Sequence, residues 1–265
     1  MTDAPVVALL TDFGWKDANV GVMKGVILGI APQARLVDLS HEVGPQDIRE
    51  AAWLLGRAAP YFPRGTIFVV VVDPGVGTAR RGMAARLGAH LVVGPDNGVA
   101  TRLIERAEAG GGPLDFRALD QERFWLPEPS RVFHGRDIFA PVAGHLANGV
   151  RLAEIGSPFT DPVRLDLPGP VETAHGLQGV VEYVDHFGNV RTNIAGRDLG
   201  GRETIRVRVG DQTVPGLTAA FGERPAGDLI ALIGSAGDLI LAVVNGHAAD
   251  RLGCRVGDGV EVFWD

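Results

Sequence analysis

Four aspartates sit at or near the ends of short apolar runs, and their placement is the first chemical signal in the chain. Residues 6–11 run into Asp12 (TDFG), and residues 36–39 carry Asp38 (DLS). Residues 66–72 run into Asp73 (DPGVG), and residues 91–93 lead to Asp96 (PDNG). If these runs are parallel strands, their carboxyl ends open into the crevice where such sheets bind ligands, and the four acids share it. Aspartate also caps helices and opens turns, so each acid has a structural reading beside the functional one. Asp38 suits the structural reading best, because LSHE has the form of a turn into a helix. Asp12 and Asp73 lie beside glycines that let a ligand approach the backbone. Arg80 follows Asp73 closely enough for a short loop to fold back and pair them, whereas Arg81 reads as a surface residue.

Other constellations are weaker. Gly75 and Gly77 make a loop that could cradle an anion, but no Gly-Lys-Ser/Thr follows it and no GxGxxG follows the first strand. His134, in VFHGRDIFAP, precedes a predicted helix capped by Asp137. The other histidines (His41, His90, His145, His175, His186, His247) lack zinc-site spacing, although four clustered acids could hold Mg²⁺. No G-x-S-x-G elbow supports a serine hydrolase.

The elements that must position these residues change character near residue 160. Before it, the strand-like runs alternate with helical patterns at 19–30, 45–61 and 98–109, which predicts an N-terminal α/β domain with a largely parallel sheet. Residues 157–176, with Pro158, Pro162, Pro168 and Pro170, read as a linker. Beyond it, paired short strands flank turns: 180–185 with 190–194, 205–209 with 213–217, and 229–233 with 239–244, closed by 259–264. These predict a small antiparallel, barrel-like β domain. The domains are thus expected at 1–160 and 177–265, joined by 161–176.

Composition narrows the class. Twenty-five Lys and Arg against 32 Asp and Glu leave a charge of −7, which argues against nucleic acid as partner. The longest aliphatic run is too short to span a bilayer, and the start does not resemble a signal peptide. A single cysteine, Cys254, excludes an internal disulfide. The 37 glycines and 17 prolines are spread between apolar runs as turn and close-approach positions. A soluble, cytoplasmic protein is expected.

Taken in order, TDFG, MKGVI, LSHEV, DPGVGTARR, PDNG, FHGRDIFAP and DHFGNVRTNI resemble the SAM hydroxide adenosyltransferases. These adenosine-forming S-adenosylmethionine hydrolases are relatives of fluorinase and chlorinase. The resemblance spans residues 6–264 and implies that water or hydroxide attacks C5′ of S-adenosylmethionine, displacing L-methionine and leaving adenosine. It also implies a homotrimer, with each site between the N-terminal domain of one subunit and the C-terminal domain of its neighbour, and no cofactor or metal.

The family's Asp-Arg-His set falls on Asp73, Arg80 and His134. Methionine departs as a neutral thioether, so the demand lies on orienting or deprotonating water. By the same matching, Asp12 takes the ribose hydroxyls, and Asp185, Phe187 and Asn189 meet the methionine ammonium and adenine. Ser235 lies near the methionine carboxylate, and the Val243 backbone near adenine. Halogenating relatives replace the DPGVG acid with a tyrosine-containing sequence, and fluorinase carries a loop insertion; here Asp73 is present and residues 81–99 are short, which favours water. Gln46 stands where many relatives have an aromatic residue, and Ala236 where fluorinase has arginine, and both bear on affinity. The alternatives are a non-catalytic adenosine- or SAM-binding module, a SAM-dependent halogenase and a Mg²⁺-dependent hydrolase.

Overall fold

The structure is a computed structural model that describes residues 4–202 and 204–264. Its contacts divide the chain into two compact units, the first ending at Asp166 and the second beginning at Leu167.

The first unit runs β1 (Val6–Thr11), α1 (Asn19–Ile30), β2 (Arg35–Ser40), α2 (Ile48–Ala58), β3 (Ile67–Val71), β4 (Gly82–Leu87), β5 (His90–Pro95), α3 (Thr101–Ala109), β6 (Leu114–Ala118), α4 (Ala140–Ala147), α5 (Leu152–Ile155) and β7 (Pro158–Phe159). Its seven strands lie in the order β2-β1-β3-β5-β4-β6-β7. The four strands foreseen from the apolar runs form the parallel part, β2-β1-β3-β5. From β5 outward the ladders are antiparallel, through three strands the sequence reading did not contain.

Strand alternation explains the uninterrupted apolar runs. Val7 and Leu9 of β1, with Val69 and Val71, enter a core shared with Met23, Ile27 and Phe139. Their neighbours Ala8, Leu10, Phe68 and Val70 enter a second core with Leu55, Leu103 and Ile104. Both faces of the sheet are therefore covered, by α1 and α4 on one side and α2 and α3 on the other, and neither face can tolerate polar alternation. Asp47 accepts the Glu50 amide at 2.8 Å and starts α2, so this helix begins later than residue 45.

Two local expectations need correction. Asp38 lies inside β2 and not at its end. Asp137 does not cap the helix after His134; a π-helical turn, Gly135–Phe139, leads into α4, and the Asp137 carboxylate binds the Ser130 amide and Arg136. The residues after β7 are laid against the first unit: Val163 N–H donates to Asp96, Leu165 N–H to Thr101, and Arg164 pairs with Glu108.

The second unit runs β8 (Val171–Thr173), β9 (Gly176–Val184), β10 (Val190–Ala195), β11 (Arg206–Val209), β12 (Gln212–Pro215), β13 (Leu229–Ile233), β14 (Asp238–Val243), α6 (Ala248–Leu252) and β15 (Gly259–Phe263). Its antiparallel order is β12-β11-β15-β9-β10-β14-β13, with β8 paired to β9, a nearly closed barrel. Leu177, Val181, Val190, Ile194, Val207, Val260, Val262 and Leu241 fill its interior, as inward alternation requires.

Candidate active site

A cleft of about 320 Å³ in the first unit is lined by Asp12, Gln46, Asp73, Val76, Phe133 and His134, among others. Asp12 and Asp73 follow β1 and β3, and His134 precedes the π-helical turn, so three separate segments meet here.

Arg80 organises the set. Its Nε donates to Asp73 Oδ1 at 2.9 Å and its Nη2 to Oδ2, a forked geometry available only to a guanidinium. Nη2 also lies 2.8 Å from His134 Nδ1. Arginine has no acceptor, so Nδ1 must carry the lone pair and the neutral ring carries its proton on Nε2. Burial, then the Arg80 charge, lowers the His134 pKa below the ordinary histidine value. The pair is largely shielded, with Asp73 5% and Arg80 12% exposed. The β3–β4 loop between them folds back because Gly77 has φ +75° and packs against the Arg131 carbonyl oxygen, where a Cβ would not fit.

Asp12 is positioned from both sides. Its Oδ2 accepts the Gln46 amide at 2.8 Å, and Gln46 itself adopts φ +66°. Behind it, Thr11 Oγ1 lies 2.8 Å from His41 Nδ1, and His41 Nε2 lies 2.8 Å from Asp38, which also binds Lys24 at 2.6 Å. The Phe13 and Gly14 amides donate to Thr11 Oγ1 and to the His41 carbonyl. Burial pushes the Asp38 carboxyl up, but the hydrogen bonds from His41 and Lys24 outweigh it and leave its pKa lowered.

The expectation that four acids share one crevice therefore fails for two of them. Asp12 and Asp73 line the cleft, while Asp38 is spent on His41 and Lys24. Asp96 is buried and bound by Arg81, which also reaches Asp161 and is not the free surface residue expected. Among the described residues no group of three His, Cys, Asp or Glu could hold a metal ion.

In the second unit, Asp185 builds the β9–β10 turn. Its Oδ1 accepts the Phe187 and Asn189 amides at 3.0 Å, and its Oδ2 accepts Asn189 Nδ2 at 3.0 Å. Gly188 holds φ +78° under the His247 ring, where no side chain fits. The turn thrusts Phe187 outward, 73% exposed. Arg191 connects this turn to β14, lying 3.6 Å from Asp185 and 3.0 Å from Asp238. Ser235 is exposed in the β13–β14 turn, with Ala236 beside it. The Val243 side chain is buried in the barrel, and its carbonyl accepts the Gly246 amide.

The chain matches the model of the SAM hydroxide adenosyltransferase N-terminal domain over residues 7–156 and of the C-terminal domain over residues 179–261. The chain belongs to the SAM hydroxide adenosyltransferase family. An (R)-S-adenosyl-L-methionine hydrolase of Salinispora tropica is 40% identical over 267 residues, 99% of both chains. A fluorinase of Actinoplanes sp. is 31% identical over 222 residues, 74% of this chain and 73% of its own. The crystal structure of an uncharacterized conserved protein from Thermotoga maritima superimposes with a TM-score of 0.89 at 38% identity, covering 97% of this chain and 100% of that one.

In this member of the SAM hydroxide adenosyltransferases the structure brings together Asp73, Arg80, His134 and Asp12, which the sequence pointed to, through groups it did not reveal. The His41–Thr11 contact and the Gln46 amide depend on chain crossings that no local motif encodes. Arg191 was the legible omission, since it lies two residues beyond Asn189 in DHFGNVRTNI.

Proposed function

We propose that this member of the SAM hydroxide adenosyltransferase family is an S-adenosyl-L-methionine hydrolase. Water attacks C5′, the C5′–S bond breaks, and adenosine and L-methionine are released. The observation that carries the reading is the Asp73–Arg80–His134 set on the wall of a cleft that also holds Asp12. Arg80 donates once to Asp73 Oδ1 and twice to Oδ2, so Oδ1 keeps a lone pair for the attacking water. Asp73 receives the water proton. His134, held neutral and protonated at Nε2, donates to the water oxygen and fixes its approach. The sulfonium leaves as a thioether, so the step needs neither a general acid nor a metal or other cofactor.

Asp12 keeps Oδ1 without a protein partner among the described residues and takes the ribose hydroxyls. Phe187 stacks on adenine, Asn189 and the Val243 backbone meet its edge, Asp185 faces the methionine ammonium, and Ser235 the carboxylate. Residues 1–160 form the domain that carries the reaction centre and residues 177–265 the one that completes it, joined by 161–176. The working enzyme is a cytoplasmic homotrimer with sites at its subunit interfaces. No helix among the described residues is long and apolar enough to cross a membrane.

The test is incubation with S-adenosylmethionine in halide-free buffer containing EDTA. Adenosine and methionine in equal amounts support the proposal. Intact substrate that nonetheless binds would leave a nucleoside-binding module, and loss of activity only with chelator would indicate metal chemistry.

A further inference from the structure

A second cavity in the first unit is distinct from the cleft that holds Asp73 and exceeds it in volume. About 590 Å³ in volume, it lies at the other end of the sheet, where β3 and β5 begin, β4 ends and α3 finishes. Arg64, Arg86 and Arg106 line it, over a wall formed by Leu87, Leu103 and Ala107. Three guanidinium groups around one cavity repel each other, and in a chain of charge −7 they are an exception to the surrounding field.

Neighbouring acids do not neutralise them. Glu105 is bound by Arg102 at 3.4 Å and Glu108 by Arg164 at 2.6 Å. Asp115 stands opposite Arg86 in the β4–β6 ladder, but its two oxygens receive Arg117 at 2.8 and 3.2 Å. Each acid that could have satisfied the cavity is thus engaged by an arginine outside it. The rim is built from Gly65, Gly88, Gly110 and Gly112, which keeps side chains from filling the opening. A Cβ on Gly112 would press against the Gly88 Cα at 3.0 Å. At the base, His90 is only 8% exposed and its Nδ1 has no hydrogen-bond partner. Burial, with the Arg64 charge adding to it, lowers the His90 pKa, so the ring is not a fourth fixed cation in the empty cavity.

We propose that this cavity binds a phosphorylated small molecule. The guanidinium forks receive the phosphoryl oxygens, for which arginine geometry is suited. The leucine and alanine wall receives an apolar or ring-shaped body, because the volume far exceeds what an inorganic anion fills and lies in the range of organic-ligand pockets. The site is separate from the Asp73 cleft and does not depend on the proposed hydrolase activity.

The experiment titrates the full chain with phenyl phosphate, inorganic phosphate and phenol, following the amides of Gly88, Gly110 and Gly112 by NMR. Phenyl phosphate is expected to saturate, to move these amides, and to bind about tenfold or more tightly than either fragment. An Arg86→Gln/Arg106→Gln double variant is expected to lose about tenfold or more of that affinity while its amide spectrum elsewhere and its S-adenosylmethionine cleavage stay as in the parent. Should that variant perturb folding, Arg86→Lys/Arg106→Lys keeps the charge but removes the forks, and weaker binding is again expected. Equal binding of inorganic phosphate and phenyl phosphate, shifts without saturation, or affinity unchanged in the variants would overturn the proposal.

Discussion

The first unit contains two networks of nearly the same composition, and only one of them faces the cleft. Asp73, Arg80 and His134 join a carboxylate, a cation and an imidazole; so do Asp38, Lys24 and His41, with Thr11 added. The difference is how much hydrogen-bonding capacity is left over. His41 is fully buried, with Thr11 on one nitrogen and Asp38 on the other, so it has nothing to offer a substrate. His134 gives only Nδ1 to Arg80, and its Nε2 has no protein partner among the described residues. A saturated network stabilises and positions; an unsaturated one on a cleft wall can act on a ligand. Residue types alone would not have separated the two.

The largest effect should come from the open network. Asp73→Asn keeps the shape but removes the proton acceptor, and kcat should fall by about 10²–10⁴ while the chain stays folded. Steady-state kinetics beside circular dichroism checks this, and a variant retaining most of its turnover would break the division of roles. The closed network should respond in stability instead. His41→Ala leaves the Thr11 hydroxyl and Asp38 without their partner, at a cost of about 1–3 kcal/mol. For a chain of this size the melting temperature should drop by roughly 2–4 °C per kcal/mol. Because the Thr11–His41 contact holds the turn that presents Asp12, KM should rise while kcat changes far less than in Asp73→Asn.

Titration sharpens the contrast. Burial and Arg80 depress the His134 pKa, so the ring is neutral at pH 7 and protonates only below the ordinary value of 6.5. Protonation places a cation against Arg80 and ends the Nδ1 hydrogen bond, so turnover should be lost as pH falls below that value. The folded state resists this proton while the unfolded chain takes it up near 6.5, so stability also declines on the acid side. Arg80→Ala should move the His134 midpoint upward in an NMR titration; a His134 midpoint that stays put would show that the Arg80 charge does not contribute to its depression. The smallest effect belongs to Lys24→Met. This cation is partly exposed, so its loss should cost under about 1 kcal/mol by denaturant unfolding.

Much of this organisation was legible in the sequence because it is local or periodic. The run at 67–72 is apolar at every position, and β3 is buried on both faces. The seven-residue spacing of Asp73 and Arg80 anticipated a short loop folding back to pair them, and a forked ion pair joins them. The unread parts have long-range causes. β4 and β6 mix arginine or aspartate with apolar residues and β7 is only Pro158–Phe159, and only their antiparallel partners make them strands. Asp38 already read as the most structural of the four acids, whereas Asp96 resembled Asp12 and Asp73; what occupies them is Lys24 and His41 for one and Arg81 for the other. Asp137 looked like a helix cap because capping acids favour such positions, yet Ser130 and Arg136 claim its carboxylate.

The central claim is that water held by Asp73 attacks C5′ of S-adenosylmethionine. It is tested most directly by running the reaction in ¹⁸O-labelled water with EDTA and analysing adenosine by mass spectrometry, with Asp73→Asn as the control. The account predicts one labelled oxygen at the 5′-hydroxyl of adenosine, an equal amount of methionine, and a product yield that collapses in the variant. Unlabelled adenosine, intact S-adenosylmethionine, or labelled product formed equally well without the Asp73 carboxylate would contradict it.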